Sequence, residues 1–168
     1  MSQLPVLLEA LKPMITAISA LKAADPRAAE AELNAKFPLG APAMTALKAL
    51  VRDGVEARWI CERENAGVRY SRVLKAPGPD ALSIDAVHMQ GTGAGHTHLN
   101  GEFDLCFKVS GAPTFDGRPE GWVVYAPNTW HVPTVEGGVM DILYFLPGGG
   151  IRFGEQPPDA TPVGLQAK

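Results

Sequence analysis

Three side chains that commonly bind metals lie close together in a short stretch, Gly95 to Glu102, which reads Gly-His-Thr-His-Leu-Asn-Gly-Glu. Side chains alternate between the two faces of an extended strand, so His96 and His98 are expected on one face. Glu102 lies an even number of residues further on and is therefore expected on the same face. Imidazole nitrogens and a carboxylate oxygen suit a divalent first-row metal such as Fe, Mn, Zn or Ni. The stretch therefore predicts one divalent transition metal, whose identity stays open.

A fourth ligand must come from elsewhere in the chain, and only His88 and His131 remain as histidines. His131 follows a strand-like run and a turn, which favours a return to the same point. His88 ends a predicted strand and is either a satisfied structural histidine or a fifth metal contact. The alternative for the motif is a surface His-x-His pair that binds nothing. The phased Glu102 and the glycines on both sides favour the metal site.

Asp104 lies two residues after Glu102 and is expected to face the same interior. A carboxylate there is costly unless it is paired or protonated, and two close carboxylates raise one pKa. Asp104 is therefore a candidate general acid and base. The alternatives are a residue that orients a ligand histidine, or a structural partner of an arginine.

The composition excludes some classes of function. The net charge is −3 over 168 residues, without a basic stripe, so we expect no nucleic-acid partner and no anionic membrane. The chain shows neither a long apolar run nor the layout of a secretory signal. Two cysteines in unrelated contexts, Cys61 and Cys106, fit reduced thiols. We therefore predict a cytoplasmic protein.

The first third of the chain is predicted to be helical and structural. Leucines and isoleucines recur at helical spacing from residue 4, with a kink or break at Pro13. Asp25 and Pro26 open a second helix as cap and first residue. A third helix should stop at Gly54. This segment, residues 1–56, is expected to pack on the rest of the protein or on a second subunit.

Beyond it the pattern changes to short extended runs separated by Gly, Pro, Asn and Asp. Strands are predicted near 58–63, 67–75, 82–90, 102–110, 121–126, 131–135, 139–146 and 151–153. Many short strands favour a β-sandwich or barrel, placed at residues 57–154. A tail rich in Pro and Gly covers 155–168.

The histidine motif resembles that of the cupin superfamily, in which a glycine, His-x-His, a glutamate and a closing glycine follow one another. The matching residues here are Gly91, His96, His98, Glu102 and Gly111. The segment Gly121 to His131 resembles the second cupin motif, with Asn128 in place of the turn glycine. The resemblance implies a mainly β fold, a single cupin-type barrel (a double-stranded β-helix or jelly roll), with the helical segment at its N-terminus.

The chain also resembles the 4-hydroxylaminobenzoate lyase family. The runs that carry this resemblance are Gly-His-Thr-His-x-Asn-Gly-Glu, Phe-Asp-Gly, Gly-Trp-Val-Val-Tyr, His-Val-Pro-Thr-Val and Leu-Tyr-x-Leu-Pro-Gly-Gly. The resemblance implies an enzyme of nitroarene catabolism that converts 4-hydroxylaminobenzoate to 3,4-dihydroxybenzoate with release of ammonia. An Fe(II) cupin dioxygenase acting on an aromatic substrate and a non-catalytic small-molecule-binding cupin are the alternatives.

A small aromatic acid as substrate calls for ring contacts and a cation. Trp130 and Tyr144 are the candidates for packing the ring, although both could be core aromatics. An arginine such as Arg69 or Arg72 could bind the substrate carboxylate in a bidentate manner, and Arg72 is the residue we predict. A homodimer is expected.

Overall fold

The computed structural model describes residues 1–163 as three helices followed by ten strands. The helices are α1 (Leu4–Ser19), α2 (Pro26–Lys36) and α3 (Pro42–Glu56). The strands are β1 (Arg63–Asn65), β2 (Val68–Leu74), β3 (Leu82–Thr92), β4 (His96–His98), β5 (Glu102–Phe115), β6 (Gly121–Tyr125), β7 (Thr129–His131), β8 (Thr134–Pro147), β9 (Ile151–Phe153) and β10 (Thr161–Pro162).

The helices begin close to where the sequence predicts them. Asp25 caps α2, because its Oδ1 accepts a hydrogen bond from the Ala28 amide at 3.2 Å. Pro13 does not break α1, which continues to Ser19. The predicted stop at Gly54 is wrong by two residues, since α3 ends at Glu56. Glycine is required at position 54 for a different reason: the Trp59 ring packs against it, and a Cβ at this position would lie only 2.8 Å from Cζ2 of Trp59.

The strands form two sheets. Six strands pair in the order β1-β2-β3-β8-β5-β6 and four in the order β10-β7-β4-β9. The prediction of a mainly β, cupin-type barrel with an N-terminal helical segment is confirmed. β4, β7 and β9 contribute the histidine side of the barrel, whereas β5 and β8 are the long central strands opposite.

Two strand predictions are wrong in their positions. The strand expected near 58–63 is only β1, because Arg58 and Cys61 have φ values of 59° and 55°, which an extended strand excludes. The strand expected at 131–135 is divided, since β7 ends at His131 and β8 begins at Thr134. The chain passes from the smaller sheet to the larger one between these residues.

The helices share one apolar cluster with the outer face of the six-stranded sheet. Leu7, Leu11 and Leu33 are fully buried against residues such as Phe103 and Phe145. A second cluster fills the barrel interior. The division at 56 and 154 stays a prediction, and residues 164–168 of the predicted tail lie outside the described residues.

Helix α2 also covers the edge strand β6 through polar contacts. The Glu30 carboxylate accepts a hydrogen bond from the Val124 amide at 3.0 Å, and Asn34 Oδ1 accepts one from the Trp122 amide at 3.2 Å. These amides would otherwise be unpaired on a sheet edge. No helix within residues 1–163 is both long and apolar enough to cross a membrane.

Candidate metal centre

Three short segments bring the four predicted ligands together. His96 and His98 lie on β4, with buried side chains, and His131 ends β7. His96 and His131 are directly paired across the two strands, so they share one face. Glu102 opens β5 in the opposite sheet.

Glu102 reaches the site by a different path from the one predicted. The chain leaves the four-stranded sheet after His98 and turns through Gly101, whose φ is +85°. A single strand running from His96 to Glu102 is therefore wrong, and the even spacing is not what aligns these side chains. They converge because the two sheets face each other across the barrel.

The four side chains form one compact, buried cluster. Their potential ligand atoms all lie within 4.8 Å of one another. Nε2 of His96 is 3.0 Å from Nε2 of His131, and the Glu102 Oε2 atom is 3.5 Å from Nε2 of His96 and 3.6 Å from Nε2 of His98. His131, the most exposed of the four, is only 6% exposed.

Each imidazole is oriented through its other nitrogen. Nδ1 of His96 lies 3.1 Å from the Ala94 carbonyl, and Nδ1 of His131 lies 2.5 Å from Asp116 Oδ2. Nδ1 of His98 lies 2.8 Å from Thr129 Oγ1, whose own proton is donated to the Ala126 carbonyl. All three partners act as acceptors, so each Nδ1 carries a proton, and each imidazole in its neutral form directs the lone pair of Nε2 to the centre.

This donor set fits a divalent metal. Three Nε2 lone pairs and a carboxylate facing one another repel, unless a cation lies between them. Within the described residues, neither oxygen of Glu102 nor Nε2 of His98 has a hydrogen-bond partner, which is costly for buried groups. Histidine ligands that donate the other ring N–H to an acceptor are the usual arrangement at metal sites.

The electrostatics of His98 and Glu102 favour the protonation states that bind metals, whereas His96 differs, because burial lowers its pKa but the hydrogen bond and charge of Glu102 outweigh burial and raise it. Burial lowers the pKa of His98 to about 3, so its imidazole is neutral at physiological pH. Burial raises the pKa of Glu102, but His98 and His96 outweigh this effect and hold the pKa below its usual value. Burial likewise raises the pKa of Asp116, and the hydrogen bond from His131 outweighs it, so the pKa is lowered.

The structure places Asp104 and Tyr144 beside the cluster. Asp104 is fully buried on β5, two residues after Glu102, and neither of its oxygens has a partner within residues 1–163. Burial, and then the charge of Glu102, raise the pKa of Asp104 well above its usual value. Tyr144 pairs with Asp104 across β8 and β5, and its ring centroid is 6.4 Å from that of His96.

Arg72 lies on the same inner face but has a partner already. Register pairs Arg72 with Asp85, Asp85 with Tyr144, and Tyr144 with Asp104, so these four side chains form a row across the sheet. The Arg72 guanidinium holds the Asp85 carboxylate in a bidentate ion pair. Arg69 instead donates to the backbone carbonyls of Cys61 and Val55 at 3.1 and 2.8 Å.

Trp130 and His88 lie away from the cluster. Trp130 lies between the inward-facing Thr129 and His131, so it points to the outer face, where Nε1 donates to the Gly154 carbonyl at 2.9 Å. His88 Nδ1 lies 2.7 Å from Asp141, which also binds Arg52. These groups pack between α3 and the outer face of the sheet, so His88 is a structural histidine.

Sequence reasoning missed three residues at the site. Asp116 and Thr129 orient His131 and His98 as described, and Asp116 Oδ2 also accepts the Tyr125 hydroxyl at 2.6 Å. Phe153 is 65% exposed, yet its ring packs at 63° on His96 with centroids 5.6 Å apart. Only Asp116-Gly117 carried a signal, that of a hairpin turn, which says nothing about a metal.

Phe153 is an exposed side chain that contacts the buried cluster. Phe153 is directly paired with His96 across β9 and β4, so both side chains face the interior at the edge of the smaller sheet. A surface cavity elsewhere lies beside α1 and is lined by Ile18, Leu21, Phe103 and neighbours. None of the four cluster residues lines it, so it is not an opening to the cluster.

The chain is similar in sequence to 4-hydroxylaminobenzoate lyases. The sequence model of the PnbB 4-hydroxylaminobenzoate lyase family matches residues 10–153. A 4-hydroxylaminobenzoate lyase of Nocardioides sp. (strain LMS-CY) is 31% identical over 137 residues, covering 75% of this chain and 81% of that protein. One of Pseudomonas putida is 27% identical over 140 residues, covering 72% and 80%.

Solved structures show more distant likenesses. An RmlC-like cupin protein from Ralstonia eutropha JMP134 has 14% identity and a TM-score of 0.41, covering 54% of this chain and 62% of that one. A protein with a double-stranded β-helix domain from Klebsiella pneumoniae has 17% identity and a TM-score of 0.42, covering 59% and 93%. The two sheets themselves, not these likenesses, define the fold. The family match spans all four cluster residues and most of the chain, which therefore belongs to the 4-hydroxylaminobenzoate lyase family.

Proposed function

We propose that this protein is a metal-dependent lyase that converts 4-hydroxylaminobenzoate to 3,4-dihydroxybenzoate and ammonia. The observation that carries the proposal is the buried cluster of three imidazoles and one carboxylate, in a chain of this family. His96, His98, Glu102 and His131 would hold one divalent transition metal, Fe, Mn, Zn or Ni, and leave a coordination position open.

The reaction consumes one water overall. The N–O bond of the hydroxylamino group breaks, a hydroxyl group is added to the ring, and the nitrogen leaves as ammonia when water replaces it. A bound metal supplies Lewis acidity toward the hydroxylamino oxygen. Burial and the charge of Glu102 raise the pKa of Asp104, and in its protonated form Asp104 would donate its proton to the leaving oxygen and then accept one from the water that attacks the ring.

The substrate ring is proposed to lie beside Phe153 at the cluster, with Tyr144 on the inner side. Phe153 takes the place that the sequence suggested for Trp130, because it is exposed and contacts a ligand histidine. Arg72 is the proposed partner of the substrate carboxylate. It lies on the inner face and would exchange Asp85 for the substrate, both being carboxylates that match a guanidinium.

Replacing Phe153 with Ala is expected to raise KM about threefold to tenfold and leave kcat nearly unchanged. The expected loss corresponds to the about 0.5–1.5 kcal/mol that an aromatic pair contributes. Steady-state kinetics on 4-hydroxylaminobenzoate measure it, with metal content determined in parallel. Val6→Ala is the control. Val6 is also an exposed apolar residue, but it lies on α1, so this variant should match the wild type. An unchanged KM in Phe153→Ala contradicts the ring contact.

Elemental analysis of the purified protein, together with an ammonia-release assay, tests the proposed function. We expect one divalent metal per chain, ammonia and 3,4-dihydroxybenzoate formed in equal amounts, and no oxygen uptake. Chelation should abolish turnover and metal should restore it. Oxygen consumption coupled to loss of the aromatic ring identifies a dioxygenase instead. Absence of turnover on hydroxylaminobenzoate, with binding of a small molecule, identifies a non-catalytic cupin.

A homodimer and a cytoplasmic location are proposed alongside this activity. The two cysteines, Cys61 and Cys106, are buried free thiols, which supports a reducing compartment. The homodimer rests on the sequence alone.

A further inference from the structure

Asp116 lies in a tight turn next to the metal cluster. Phe115 and Arg118 exchange two backbone hydrogen bonds of 2.7 and 2.9 Å, and the two residues between them, Asp116 and Gly117, have φ values of 48° and 79°. Two central residues with positive φ define a type I′ hairpin turn, for which Asp-Gly is a preferred sequence. The turn fixes where the Asp116 carboxylate lies.

The Asp116 carboxylate accepts three hydrogen bonds. Oδ2 lies 2.5 Å from His131 Nδ1 and accepts the Tyr125 hydroxyl at 2.6 Å. Oδ1 accepts the Thr134 amide at 2.9 Å. Each donor belongs to a different segment, β6, β7 or the start of β8, so the carboxylate links three elements at the cluster.

Tyr125 carries this restraint to a second ligand. Its ring stacks on that of His98, with centroids 4.6 Å apart and an interplanar angle of 8°. Tyr125 is buried, so its ring has little freedom once the hydroxyl is held. His98 is thus held on its face by Tyr125 and at Nδ1 by Thr129.

We propose that Asp116 is a positioning residue of the metal centre, a single carboxylate that fixes two ligand histidines, His131 directly and His98 through Tyr125. The inference rests on the proposed metal binding. By accepting a hydrogen bond from His131 Nδ1, Asp116 keeps the proton on that nitrogen. The lone pair of His131 is then on Nε2, where it would bind the metal.

The chemistry of the three donors makes the carboxylate specific. The three donors, a His N–H, a Tyr O–H and a backbone N–H, use both carboxylate oxygens of Asp116. An asparagine has only one acceptor oxygen and cannot accept all three hydrogen bonds. Either one donor loses its partner, or the His131 proton moves to Nε2 and blocks the metal. Tyr125→Phe is milder, because it removes one donor and leaves the His131 contact in place.

Zinc and cobalt affinities of Asp116→Asn and Tyr125→Phe, measured by competition with a chelator, test the proposal. We expect about 10- to 100-fold weaker binding for Asp116→Asn, the usual cost of losing an outer partner of a ligand. Tyr125→Phe should fall between it and the wild type. Imidazole nitrogen NMR of the metal-free proteins provides a second readout, in which wild-type His131 should carry its proton on Nδ1.

Asp141→Asn is the matched control. Asp141 is also a buried carboxylate paired with a histidine, His88, but on the outer face of the sheet. Its loss should lower the melting temperature without changing metal affinity more than about twofold. A folded Asp116→Asn protein that binds metal with wild-type affinity overturns the inference. If Asp116→Asn does not fold, wild-type metal affinity of Tyr125→Phe overturns it. A wild-type protein that binds none of zinc, cobalt, iron, manganese or nickel refutes the metal proposal itself.

Discussion

A His98→Ala protein is expected to purify almost without metal. His98 is fully buried, and its Nε2 lies 3.6 Å from Glu102 without a hydrogen-bond partner in the described chain. Removing the ring takes away one of four ligands, so the affinity should fall more than about a hundredfold, beyond the usual cost of losing an outer partner. Elemental analysis and chelator competition measure the loss, and turnover should fall with it.

His88→Ala is the control for this prediction. His88 is a partly buried histidine, held by Asp141 on the outer face of the six-stranded sheet. It should keep full metal occupancy, with a lower melting temperature because Asp141 loses a partner. Full occupancy in a folded His98→Ala protein contradicts the assignment of the four ligands.

An Asp104→Asn protein is expected to keep its metal and lose turnover by about a hundredfold or more, the usual scale of acid–base assistance. The asparagine preserves the shape of the side chain but can neither donate an acidic proton nor accept one from water. Asp104 is fully buried, directly opposite Tyr144 on the neighbouring strand, and neither of its oxygens has a hydrogen-bond partner in the described residues. A structural carboxylate would have such a partner.

The kinetic measurement must separate this loss from a loss of metal. Asp104→Asn should therefore be compared with the wild type at equal metal content, by kcat. Asp141→Asn, which changes a buried carboxylate of the same sheet on its outer face, should retain wild-type kcat. Wild-type turnover in metal-loaded Asp104→Asn gives Asp104 no part in the chemistry.

The sequence predicts much of the cluster because its signal is local. His96 and His98 are two residues apart on one strand, and histidines are few in this chain. Asn128 in the turn before His131 has a φ of 58°, as expected of a residue that replaces a glycine. The path to Glu102 was not predictable from periodicity, because an even spacing does not reveal a turn that changes sheets.

Long-range contacts explain the remaining differences. Trp130 is adjacent to His131 in sequence, whereas Phe153 is distant from the cluster residues in sequence. Only the pairing of the strands shows that Phe153, and not Trp130, faces the same side as His96. Arg69 and Arg72 are alike in sequence, but register places Arg72 in the row of Asp85 and Tyr144. The role of Asp116 depends on donors from three other segments, which no local pattern records.

The turn at Gly101 lies between His98 and Glu102, two of the predicted metal ligands, and packs against the helical segment. A Cβ on this glycine would lie 2.3 Å from Cβ of Ala23, in the connection between α1 and α2, and 2.9 Å from the carbonyl of Tyr125. The loop between His98 and Glu102 therefore packs as closely against the α1–α2 connection as against the barrel. A designer who transplants this centre into a minimal scaffold must carry the α1–α2 connection along with it, because the barrel alone lacks the wall that shapes the loop. In the same way, recombination between relatives should succeed only when residues 23 and 101 are inherited together.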